Sequence, residues 1–144
     1  MSRLLAIGLL LITSLLAGCV TAHVTPEQLA SANYGPEPTD YADRVKAYME
    51  TRLKDPMSAV YKFNPILRRA ALVEVVNFEK RRAMGKDGVA FENVYGWTVE
   101  VAINAKNSFG GYTGAVQYYF MLPTDREIID ITASLQTKRA AFVD

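Results

Sequence analysis

Glu74, Glu79, Glu92 and Glu100 are the acids whose setting admits catalysis, because two carboxyl groups about 5–10 Å apart suffice for hydrolysis by paired carboxylates. On the polar face of a strand, however, a glutamate ordinarily does no more than meet solvent. The chain holds one histidine, His23, and one cysteine, Cys19, both ahead of the strongly patterned segments. Its folded part therefore lacks an imidazole base and a thiol, which excludes Ser-His-Asp and Cys-His sites. The same lack of clustered His and Cys excludes zinc. No catalytic residue, metal or cofactor is assigned.

The least generic stretch is residues 104–114, NAKNSFGGYTG. Glycine loops cradle phosphates where backbone amides converge and a helix N-terminus follows. Here Lys106 precedes the glycines and a strand follows, so the phosphate-loop pattern fails. Asn107, Gly110, Gly111 and Gly114 suit the positive-φ or bulge positions of an irregular hairpin. What this leaves for function is a surface of Asn104, Lys106, Asn107, Phe109 and Tyr112, offered to a protein, a glycan or a lipid headgroup. The other cluster is Lys80, Arg81 and Arg82 with Lys86. It reads either as a solvated face or as a contact with anionic headgroups, where each basic residue contributes about 1 kcal/mol.

The loop must be held by the strands on either side. Trp97, Val99, Val101 and Ile103 alternate with Thr98, Glu100, Ala102 and Asn104, and on the return Val116, Tyr118, Phe120 and Leu122 alternate with Gln117, Tyr119 and Met121. That is the period of a half-buried strand. Burial of each large side chain is worth roughly 1.5–3 kcal/mol, so a one-residue slip that turned this shared face outward is strongly disfavoured. Ahead of the hairpin, residues 39–54 have a helical apolar stripe of Tyr41, Val45, Tyr48, Met49 and Leu53, with acids in the first turn and Pro56 beyond the end; this helix is expected to pack on the sheet. Residues 58–63 read as a short strand. Residues 68–80 fit a strand or a helical face, with strand preferred for the β-branched run at 71–76. Residues 81–94 read as a loop or hairpin connection. For 127–142, a strand followed by a short helix competes with one helix capped from Thr124.

Residues 1–18 combine Arg3, an apolar run and the small pair Ala17-Gly18 directly before Cys19. Leu16-Ala17-Gly18-Cys19 resembles the lipobox of bacterial lipoproteins. The resemblance implies that residues 1–18 are removed as a signal peptide and that Cys19 is lipidated, anchoring the chain to a membrane without spanning it. Val20, which follows, implies sorting to the outer membrane, facing the periplasm. Residues 19–38 read as a flexible tether spanning roughly 25 Å, interrupted by a short helix that starts at the Thr25-Pro26-Glu27-Gln28 capping box. Loss of Arg3 from 16 basic and 15 acidic residues leaves the two in balance, so no general field for nucleic acid exists. With 50% hydrophobic and 22% charged residues, residues 39–144 form a single globular domain.

Lys54-Asp55-Pro56-Met57-Ser58-Ala59 and the run from Asn104 to Gly114 are together similar to a group of small bacterial secreted proteins and lipoproteins. They share a K-D-P-x-S-A turn and an N-A/G-K-N-S-F/Y-G-G-Y-T/V-G loop. The resemblance implies a small α+β envelope domain and no particular reaction. The expected fold is one main helix on a mainly antiparallel sheet of about four strands. The expected role is a non-enzymatic binding or assembly component of the cell envelope. The alternatives are a small periplasmic enzyme using paired carboxylates, and an inhibitor or accessory factor that docks through the glycine loop.

Overall fold

The computed structural model describes residues 24–85 and 89–143. Cys19, His23 and Lys86 lie outside them. In chain order the elements are α1 (Pro26–Ser31), α2 (Tyr41–Glu50), β1 (Asp55–Phe63), β2 (Arg68–Val75), α3 (Phe78–Ala83), β3 (Phe91–Lys106), β4 (Val116–Leu122), β5 (Ile129–Asp130), α4 (Thr132–Gln136) and β6 (Ala140–Val143). The fold is α+β: a six-stranded sheet with short helices, of which only α2 is longer than six residues.

Strand β3 is the axis of the sheet. Along one edge its first half pairs with β2 and its second half with β1, while β4 runs along the other edge; β6 extends β2 and β5 extends β4. Each of these pairings is antiparallel. The hairpin has the face pattern that its alternation predicts: Trp97 opposes Leu122, Val99 opposes Phe120, Val101 opposes Tyr118 and Ile103 opposes Val116. Helix α2 lays Val45 and Met49 on that face, giving a core with Val99, Val101, Ile103, Phe120 and Leu122. Tyr48 meets Phe120 edge to face, with ring centroids 5.4 Å apart.

The opposite face of the sheet is buried as well. Ala70, Leu72, Val94, Met121, Ile131 and Ala140 form a second core, flanked by Leu135 and Phe142. This is where the chain departs from the four-strand expectation. Residues 127–142 form neither one helix nor a strand followed only by a helix, but a two-residue strand, a short helix and a further strand, β6. Residues 68–75 are strand as preferred, whereas Asn77 caps a helix over residues assigned partly to that strand and partly to a loop: its side-chain oxygen accepts from the Lys80 amide at 2.8 Å.

At the N-terminal side, Thr25 and Gln28 form the expected reciprocal cap of α1. The Tyr34 hydroxyl donates to the Leu29 carbonyl at 3.0 Å, and the Tyr34 ring is buried edge-on to Tyr95. Trp97 donates its indole N–H to the Gly35 carbonyl at 3.1 Å. The last residues before α2 are thus docked on the sheet near the start of the hairpin.

Candidate functional site

The two distinctive segments of the sequence meet at one end of the sheet. Asp55, at the start of β1, opposes Lys106 at the end of β3. From Asp55 to Val60 the chain advances five residues while its partner strand retreats only from Lys106 to Asn104, so a wide bulge pushes the 56–59 segment out of the ladder. Pro56 is tolerated there because β1 is an edge strand with no need of that amide. Inside the bulge, the Ser58 hydroxyl donates to the Asp55 carbonyl at 2.8 Å and accepts the Lys106 amide proton at 2.9 Å. The Asp55 carboxylate accepts from the Ser58 amide at 3.3 Å.

The glycine loop closes on the same point. The Tyr112 hydroxyl donates to the Ser58 carbonyl at 3.2 Å, and Tyr112 bridges Lys106 across the loop mouth. Asn107 accepts on its side-chain oxygen from the amides of Phe109, at 2.9 Å, and Gly111, at 3.2 Å. These amides are consumed within the loop, which is the physical reason it is not a backbone phosphate cradle. Gly110 and Gly114 take φ of 80° and 94°, in the region that glycine enters without a Cβ clash. Neither Asn107 nor Gly111 is among the positive-φ residues.

Of the five loop candidates, Lys106 and Tyr112 are brought together at Ser58, while Asn107 holds the turn of the loop. Phe109 projects from the loop and is 96% exposed, and Met57 on the neighbouring bulge is 94% exposed. Asn104 is set apart, its carboxamide oxygen covered and without a hydrogen-bond partner among the described residues. Ser58 and Arg52 were not singled out from sequence, although the Asp-x-x-Ser spacing is a turn signal that points to Ser58. Arg52 stacks on the Tyr48 ring at 3.5 Å and donates from Nη1 to the Tyr48 carbonyl at 2.7 Å and the Thr51 hydroxyl at 3.2 Å.

The second cluster is partly spent on the fold. Lys80 bonds Glu92, Arg81 is partly buried, and Arg82 is exposed on α3. Glu74 and Glu92 are direct cross-strand partners, and Arg126 reaches both, at 3.2 and 3.5 Å. The Lys80 hydrogen bond, helped by Arg126, holds the Glu92 carboxyl below its ordinary value. A general acid needs the opposite shift. Glu100 accepts from Asn64, Gln117 and Tyr119 at 3.1, 2.8 and 3.3 Å. Burial, and then the Glu100 charge, push the Tyr119 hydroxyl up. Glu79 lies exposed in the first turn of α3.

Among the described residues, no group of three or more His, Cys, Asp or Glu is placed to hold a metal ion, and no helix is long and apolar enough to cross a membrane. Comparison of the chain with known protein families, curated proteins and solved structures finds no match.

Proposed function

We propose that the protein is a lipid-anchored component of the bacterial cell envelope, held through Cys19 at the periplasmic face of the outer membrane, that binds a partner rather than transforming one. The observation that carries the binding reading is the end of the sheet at Ser58. There the 54–59 turn and the 104–114 loop are locked to each other by Ser58 and Tyr112, with Phe109 and Met57 exposed on the two joined segments. Rigid backbone with projecting large apolar side chains favours binding, because few side chains must be ordered when a partner arrives. The anchor rests on the lipobox resemblance at Leu16-Ala17-Gly18-Cys19 and the outer-membrane assignment on Val20.

Two experiments test the two halves. A photo-crosslinking residue at position 109, in cells, is expected to capture a discrete envelope partner that the same residue on exposed α2 position 47 does not. Equal capture at both positions would overturn the contact surface. Cys19→Ala is expected to abolish lipid mass and membrane fractionation, and unchanged mass and fractionation would overturn the anchor.

A further inference from the structure

We propose that the cleft between the end of α2 and the loop end of the β3–β4 hairpin binds a phosphate group. The inference goes beyond the contact surface at Phe109 and does not depend on the lipid anchor.

The cleft measures about 220 Å³ and is lined by Arg52, Lys54 and Lys106, with no carboxylate in its wall. Three cations elsewhere find acids: Lys80 with Glu92, Arg126 with Glu74, Glu92 and Asp125, and Lys46 with Asp43. Arg52, Lys54 and Lys106 have no acid within ion-pair distance among the described residues. The neighbouring acid, Asp55, is turned onto the Ser58 amide.

Each cation is brought to the cleft by a separate feature of the fold. The Tyr48 ring and two hydrogen bonds through Nη1 fix Arg52 and leave its Nε and Nη2 edge for a ligand. Pairing of Asp55 with Lys106 sets Lys54 beside the end of β3. The Ser58 hydroxyl fixes the Lys106 backbone, and its ammonium lies 5.7 Å from the Tyr112 ring centre. Three like charges around one concavity repel each other, and an anion seated among them relieves that repulsion.

Phosphate fits better than a carboxylate. A phosphomonoester carries close to two negative charges at neutral pH, and its oxygens match both the planar Arg edge and the point charges of two lysines. Side chains supply the donors here, since the loop amides are already bonded to Asn107. Leu53, Val116 and Tyr118 complete the wall, giving apolar surface to whatever carries the phosphate.

The test uses the full chain in neutral detergent micelles. Inorganic phosphate and dihexanoyl phosphatidic acid are titrated by calorimetry, with dihexanoyl phosphatidylcholine as the control. Saturable binding of inorganic phosphate identifies a free phosphate site. Saturable binding of phosphatidic acid alone identifies a lipid headgroup. In either case Lys54→Gln with Lys106→Gln is expected to weaken binding about tenfold or more, since hydrogen bonds to charged groups are worth about 1.5–3 kcal/mol each. Arg52→Gln, which leaves the loop untouched, is the second variant should the lysine pair lower the melting temperature. The proposal is overturned if neither probe binds, or if binding is the same in these variants. Crosslinking from position 109 is read in the same variants, so that loss of the phosphate site and loss of the contact surface are seen separately.

Discussion

The Ser58 hydroxyl accepts the Lys106 amide proton, joining β1 to β3 where the ladder between them is broken, and donates its own proton to the Asp55 carbonyl within β1. An alanine there leaves the Lys106 amide and the Asp55 carbonyl to find new partners, which costs about 1–3 kcal/mol where they stay covered. Ser58→Ala is therefore expected to lower stability in urea by that amount and to speed hydrogen exchange at the Lys106 amide. A second residue-scale prediction concerns acid. Because Glu92 is held below its ordinary carboxyl value of 4.5 by Lys80 and Arg126, its contribution is complete above that value and is lost as pH falls through the lower folded value. Glu92→Gln is expected to cost up to about 1 kcal/mol at pH 7, a modest figure because the group meets solvent. The gap to the parent chain should narrow as pH falls below 4.5 and close once Glu92 is protonated in the folded chain, as followed by thermal unfolding.

At the scale of elements, the two cores make opposite demands on β3 and β4. Leu122 faces α2, while Met121 faces β6 and α4. Ile131 is fully buried in the second core, so Ile131→Ala is expected to cost about 2–5 kcal/mol. Phe109→Ala should change stability by no more than about 0.5 kcal/mol, and denaturant melts of the pair check the contrast. Gly96→Ala is expected to cost about 1–3 kcal/mol, because a Cβ there would sit 2.9 Å from the Leu122 carbonyl oxygen. The hairpin was legible because a period of two survives in Trp97 to Ile103 and Val116 to Leu122 whatever surrounds them. The second core was not, because the strands that complete it, β5 and β6, are short and Ala140 carries little β preference of its own. The turn into β6 was hidden for a more specific reason. Helix α4 ends with the Arg139 amide on the Ser134 carbonyl at 2.8 Å and the Lys138 amide on that of Leu135 at 3.2 Å. This is the Schellman pattern, which glycine normally signals, but here Lys138 takes the left-handed φ of 58°. Lys138→Gly is accordingly expected to stabilise the chain by about 1 kcal/mol, measurable as a rise in the denaturation midpoint. Of the candidate site, the loop was visible as a glycine run, whereas the basic cleft required Arg52 and Lys54 to be set beside Lys106 by pairings between residues far apart in sequence.

For the molecule as a whole, the two ends of the hairpin do different work. Near one end, Trp97 and Tyr95 receive Gly35 and Tyr34, so the chain that leads back toward Cys19 is fastened there. At the other end lie Lys106, the glycine loop and the cleft. Between Trp97 and Lys106 runs uninterrupted strand, and at about 3.3 Å per residue its length is about 30 Å. Neither end can shift along β3 without breaking the register that both cores enforce. The strand is in effect a ruler. Whatever is grasped at the loop end is held at a set standoff from the point where the N-terminal segment is pinned, and the gap is written in a number of residues rather than left to the slack of a linker.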